Sequence, residues 1–193
     1  MFSSCPTSDN VLIIIGMNPG FHEDVANSCW MGRSGKVMTE SYIKGSRINN
    51  HATIYLGNVA RCYTPSGKPP TSRQYRACWM EHGQVDIVSI IKHHKDAAVR
   101  AVLCAGADPL AHVTRWATGK AMKQSDAFKN QGMELAKDGA SFLLFSTFHP
   151  SAVLRDPDKI HAVNDHMSIV RAHLSGNVPS SSGPTIVPPA YSF

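Results

Sequence analysis

The chain has 193 residues, of which 42% are hydrophobic and 17% charged. That is the composition of one globular domain, and it excludes a disordered or fibrous chain. The formal net charge of +5 tilts the reading toward a polyanionic partner, and no apolar run approaches the roughly 18 residues that span a bilayer.

The elements follow in chain order. Val11-Leu12-Ile13-Ile14-Ile15 is a β-branched run that stops at Gly16, the pattern of a central parallel strand feeding a loop. Ser34–Ile48 reads as a helix and Ile54–Val59 as a second strand. Thr71–His94 is a longer helix, with Thr71 as N-cap and Val85, Val88 and Ile91 spaced along one face. Ala101–Ala105 is a third strand, again halted by a glycine, Gly106, and Asp108–Thr118 is the helix after it. Ser141–Ser146 is a fourth strand, and Ser151–Leu174 a helix interrupted at Asp156-Pro157. Strands alternating with helices predict an α/β fold: a three-layer αβα sandwich around a central four-stranded, mainly parallel sheet. Residues 1–174 form one domain, and the Pro- and Ser-rich residues 175–193 a flexible tail.

The five cysteines are odd in number and irregularly spaced, unlike a secreted disulfide framework. Met1–Asn10 lacks the basic and apolar regions of a secretory leader. A reducing, cytoplasmic location is expected, with thiols unpaired or metal-bound.

In a parallel sheet ligands bind beyond the carboxyl ends of the strands. Two loops there carry the information. After strand one comes Gly16-Met17-Asn18-Pro19-Gly20-Phe21-His22-Glu23-Asp24. Its glycines permit a sharp turn and a close ligand, and its polar side chains follow a buried strand. Read locally, Asn-Pro-Gly is also an ordinary turn. Neither Gly-Lys-Ser/Thr nor Gly-x-Gly-x-x-Gly is present, so nucleoside triphosphate and nicotinamide cofactors are not expected. After strand four comes Phe148-His149-Pro150-Ser151. His149 sits where strand becomes helix, and Ser151 and the first helical amides suit a phosphate. Read locally, His149 is a structural hydrogen bonder before it is a functional group, and Val153 and Leu154 are core positions.

Together the two loops resemble the active-site motifs of the uracil-DNA glycosylase superfamily. Gly16-x-x-Pro19-Gly20-x-x-Glu23-Asp24 with Trp30-x-Gly32-x-x-Gly35 is similar to the first motif of the family 4 enzymes, which carry Phe where Trp30 stands. Gly57-Asn58-Val59-Ala60-Arg61-Cys62, the segment Pro65–Pro70, Arg76-Ala77-Cys78 and Val102-Leu103-Cys104-Ala105-Gly106-Ala107 resemble that family's intervening segments. His149-Pro150-Ser151-Ala152-Val153-Leu154-Arg155 matches its second motif. Asn18 is the amide found in the mismatch-specific and single-strand-selective families.

The resemblance implies a monofunctional glycosylase acting on a pyrimidine flipped out of DNA. It implies that Asn18 positions water and that His149 donates to the pyrimidine O2 as charge develops. Asn58 would read the pyrimidine edge, with Gly16, Met17, Pro19, Gly20, Glu23 and Asp24 shaping the pocket and Trp30 stacking on the base. Ser151 would hold a phosphate, and Val153, Leu154 and Arg155 would form the wedge entering the duplex. Arg33, Lys36, Lys68 and Arg73 are further candidate phosphate contacts. No lysine lies inside either motif, so no Schiff-base lyase is expected.

The chain departs from family 4 in three places. Met17 replaces a glutamate, Trp30 replaces a phenylalanine, and the N-terminal Cys-x-x-Cys of the family's iron–sulfur cluster is missing. Cys62 and Cys78 stand at the family spacing, with Cys5 alone before strand one, so no cofactor is expected; these three are the first candidates if a cluster forms. The expected partner is DNA, engaged by a monomer. Two other readings stay open: excision of a hydroxymethylated or glucosylated cytosine from phage DNA as antiviral defence, and a non-catalytic DNA-binding module.

Overall fold

The computed structural model describes residues 9–64 and 70–177. β1 (Val11–Gly16) is buried along its whole length. It lies between β2 (Thr53–Asn58) and β3 (Arg100–Ala105), parallel to both. β3 pairs in parallel with β5 (Ala140–Thr147), and β4 (Met133–Lys137) closes the edge antiparallel to β5. The order is β2-β1-β3-β5-β4.

The predicted three-layer architecture and the four parallel strands are present. The sheet has five strands rather than four, because β4 was not expected. Met133-Glu134-Leu135-Ala136-Lys137 buries only Leu135, and Glu, Ala and Lys are depleted in strands. Asp138-Gly139 is the signal that finds it. Both residues have positive φ, 52° and 76°, as a two-residue hairpin turn requires.

Side chains of β1 alternate between the two faces. Val11, Ile13 and Ile15 enter one core with Tyr75, Trp79, Ile87 and Leu110. Leu12 and Ile14 enter the other with Trp30, Met38, Tyr42, Val163 and Met167. The five apolar side chains of β1 are 0–4% exposed, each contributing about 1.5–3 kcal/mol of transfer free energy.

Two short helices were not predicted: α1 (Phe21–Ala26) and α6 (Gln124–Lys129). The helix expected from Ser34 begins one residue earlier as α2 (Arg33–Val37), runs on as a π segment (Met38–Gly45), and gives way to a 3-10 turn (Ile48–Asn50). The long second helix is α3 (Ser72–Cys78), a π turn (Trp79–Gly83) and α4 (Gln84–His93). Thr71 and Gln74 form the capping box that starts it. Gly83 is required in the π turn, because a Cβ there would lie 2.3 Å from Cε3 of Trp79. After β3 comes α5 (Ala107–Thr118). The last helix breaks as expected into α7 (Pro150–Arg155) and α8 (Lys159–Leu174). Cys5, Lys68 and the tail beyond Asn177 lie outside the described residues.

Candidate active site

The connections that leave β1, β2, β3 and β5 emerge at the same end of the sheet. Gly16, the last residue of β1, pairs with Asn58, the last of β2. A Cβ on Gly16 would sit 2.4 Å from Asn58 Oδ1 and 2.5 Å from Trp30 Cζ2. Only glycine fits, and its absent side chain lets the amide and the indole share one point. The ladder continues past it, with the Val59 amide donating to Gly16 O and the Ala60 amide to Met17 O, 2.9 Å each. Met17 packs against the first core.

Asn18 is held in a single orientation. The Tyr75 hydroxyl donates to its Oδ1 at 2.7 Å, and its Nδ2 donates to Pro19 O at 2.9 Å. One lone pair and one N–H remain, enough to orient a water molecule. Burial first, then the Asp108 charge, pushes the Tyr75 hydroxyl up to about 12, so it stays protonated and donating at neutral pH. Tyr75 was not singled out from sequence. Its place four residues before buried Trp79 on a capped helix is the only local hint.

His149 caps α7. The Ser151 amide donates to its Nδ1 at 3.1 Å, and the Ser151 hydroxyl lies 2.8 Å from the same nitrogen. A backbone amide only donates, so Nδ1 is unprotonated and the ring proton is on Nε2. Burial, and secondly the Arg155 charge, holds the imidazole below the usual histidine range. At neutral pH the ring is an uncharged donor through Nε2–H.

Neighbours fix the ring in place. Trp30 stacks on it, 5.4 Å between centroids at 29°. Gly106, with φ +113°, passes behind, where a Cβ would be 3.4 Å from His149 Cβ. Buried Tyr42 donates to Phe148 O at 3.0 Å and anchors the end of β5.

Trp30 was expected to stack on the base. It is 8% exposed, and one face meets His149, so in this arrangement it seats the histidine. Its backbone is left-handed, φ 60°. Gly35 is pressed against it: a Cβ there would fall 1.7 Å from Trp30 O. Glu23 braces the same loop. Its carboxylate accepts from the amides of Gly20 at 3.1 Å and of Met31 and Gly32 at 2.9 Å each. Burial pushes its pKa up, but backbone hydrogen bonds outweigh that and leave it below the usual carboxylate range. A carboxylate so occupied holds the loop in place. Asp24 is exposed beside it.

Of the expected wedge, Leu154 and Arg155 project from α7, whereas Val153 packs against the second core. Ser151 is engaged with His149, and Arg155 Nη1 lies 3.4 Å from its hydroxyl. Arg33, Lys36 and Arg73 are exposed. A cleft of about 420 Å³ opens beside Pro19 and Asn58, with Asp24, Ser28, Arg61 and Asp86 among its walls.

Among the described residues, Cys29, Cys62, Cys78 and Cys104 do not gather as the four thiolates of an iron–sulfur site. Cys62 is exposed, and Cys78 accepts from the Arg61 amide at 3.1 Å. Cys104 is fully buried in β3, where burial pushes its thiol far up. Cys29 packs against the core opposite Cys78. Among the described residues no three His, Cys, Asp or Glu side chains gather as metal ligands.

The chain is similar in sequence to known proteins. Residues 2–174 match the family described as the uracil DNA glycosylase superfamily. Three similar proteins are each named Type-4 uracil-DNA glycosylase. That of Pyrobaculum aerophilum is 26% identical over 147 residues, 76% of this chain and 69% of that protein. That of Thermotoga maritima is 31% identical over 70 residues, 36% of this chain and 35% of that protein. That of Sulfurisphaera tokodaii is 23% identical over 151 residues, 76% of this chain and 62% of that protein.

Proposed function

The chain belongs to the uracil DNA glycosylase superfamily, and from that premise we propose that it hydrolyses the N-glycosidic bond of a pyrimidine flipped out of DNA, leaving an abasic site. Uracil is the base the relatives' names suggest. The observation that carries the reading is the protonation state of His149. Its Nδ1 is committed to the Ser151 amide, so the neutral ring offers Nε2–H. A base departing with its bonding electron pair gathers negative charge on O2, and a fixed neutral donor there lowers the barrier without first losing a proton. Asn18 orients the water that reaches C1′; an amide does this without acting as a strong base. Asn58 contributes both a donor and an acceptor for the pyrimidine edge. Leu154 enters the duplex, and Arg155 accompanies it at the phosphates.

The chain acts on DNA as a monomer in the cytoplasm, without a nucleotide cofactor. No helix among the described residues is long and apolar enough to cross a membrane. The proposed activity is assigned no four-thiolate cluster. The family match ends at residue 174, which supports assigning the activity to residues 1–174, with residues 175–193 as an appended tail.

A second reading is a cytosine bearing a hydroxymethyl or glucosyl group, removed from phage DNA as defence. The cleft beside Asn58 favours it, because it offers room and, in Asp24, Ser28, Arg61 and Asp86, hydrogen-bonding partners for a substituent on C5. The test is base release from matched strands carrying uracil, glucosylated hydroxymethylcytosine or unmodified cytosine, with abasic sites revealed by alkaline cleavage. Release from the uracil strand supports the first reading, and release from the glucosylated strand alone supports the second. No release from any strand refutes both and leaves a DNA-binding module.

A further inference from the structure

Helix α1 is patterned inside out. None of Phe21–Ala26 is buried, yet Phe21 is 58% and Val25 71% exposed. Four residues apart on a helix, the two share one face. An apolar stripe turned to solvent serves contact rather than packing. The Phe21 ring stands edge-on to Tyr63, 6.1 Å between centroids at 69°, and edge-on to His22, 5.7 Å at 70°. Edge contacts hold the ring upright while its exposure leaves a face uncovered. The helix is also fixed, because Glu23 ties its first amide region to Met31 and Gly32. Gly20, its N-cap, follows Asn18-Pro19 directly, so the ring is carried by the residue that leaves the Asn18 turn.

We propose that Phe21 is a stacking platform for an unpaired base that neighbours the extruded nucleotide on the same strand, so that the enzyme engages single-stranded or locally opened DNA. This rests on the pyrimidine-glycosylase reading of the site. Every base has an aromatic face, and a phenyl ring accepts it without any hydrogen-bond requirement. Arg33 and Lys36, exposed on the helix that begins after Gly32, supply cations for the phosphates of the same strand. Continuity with the Asn18 turn selects the strand as the occupant.

The test titrates the full chain with a single strand carrying non-hydrolysable 2′-fluorodeoxyuridine. Parallel strands replace one or other flanking base with an abasic spacer, and Phe21→Ala and Phe21→Trp are measured beside the wild type. Removing one flanking base is expected to weaken wild-type binding about tenfold, the worth of one base–aromatic stack. Phe21→Ala is expected to bind all strands at the weaker level, and Phe21→Trp to restore the difference. Equal wild-type affinities overturn the platform, as does a Phe21→Ala protein that still discriminates. Uracil release by the wild type is followed in parallel. Release without a spacer effect removes the platform alone. Neither release nor binding removes the reading of the site, and the platform with it.

Discussion

The hydroxyl of Tyr75 donates to the side-chain oxygen of Asn18 across 2.7 Å. The pair joins a helix on one face of the sheet to the turn that ends the central strand. It also decides which end of the amide looks where, because one N–H of Asn18 Nδ2 is given to Pro19 O.

Tyr75→Phe removes that constraint and keeps the ring. Base release is expected to slow by roughly three- to tenfold, the worth of one hydrogen bond, with DNA affinity unchanged. Single-turnover rates and a binding isotherm separate the two quantities. An unaltered rate means that Asn18 needs no help in holding its water.

His149→Ala and Asn18→Ala are expected to be the severe variants. Loss of one preorganised donor to a developing anion costs on the order of 100- to 1000-fold, so His149→Ala falls in that range while still binding DNA. Asn18→Ala loses rate more than affinity. If both variants release base at the wild-type rate, the assignment of the site is wrong. If both lose binding together with rate, Asn18 and His149 hold the fold or the DNA rather than act on the reacting groups.

Burial holds His94, His112, His149 and His166 below the ordinary histidine range. In the unfolded chain a histidine takes up its proton near pH 6.5. Below that, the unfolded state binds more protons than the native state, so stability rises with pH and is lost on acidification. The thermal midpoint is expected to be flat at neutral pH and to fall as the pH drops below about 6.5. A midpoint that rises on acidification would mean that these rings carry charge in the native state.

Iron analysis and absorption spectroscopy of anaerobically purified protein address the cysteines. Substoichiometric iron and no thiolate-to-iron charge-transfer band are expected, with Cys62→Ser and Cys78→Ser as active as the wild type. Stoichiometric iron lost in either variant would show that Cys62 and Cys78 still hold a cluster, completed from residues the described structure does not bring together.

Much of the fold was legible because β1, β3 and β5 are runs of apolar residues closed by turn-forming or capping residues. β4 was not, because its composition is that of a surface and only pairing with β5 makes it a strand. The site divides the same way. Gly16, Asn18, Asn58 and His149 stand at strand ends, where local sequence marks a loop in the right place. Tyr75 reaches Asn18 from 57 residues away, and Tyr42 reaches Phe148 from 106. Contacts so distant along the chain leave no periodicity or motif to read. Glu23 was placed among the residues that shape the pocket, and its three amide partners, which brace the loop, are two of them eight and nine residues away, beyond what a motif shows.

The anchors of Asn18 and His149 lie on opposite faces of the sheet. Tyr75, which aims the amide, belongs to the layer containing Trp79 and Leu110. Trp30 and Tyr42, which seat the imidazole, belong to the layer containing Met38 and Val163. Under the proposed mechanism, departure of the base and arrival of water are thus furnished by two separately packed halves with the strands as their shared chassis. Substitutions accumulating in one half can retune one step while the other keeps its setting, so selectivity for a leaving group and efficiency of hydrolysis are adjustable one at a time.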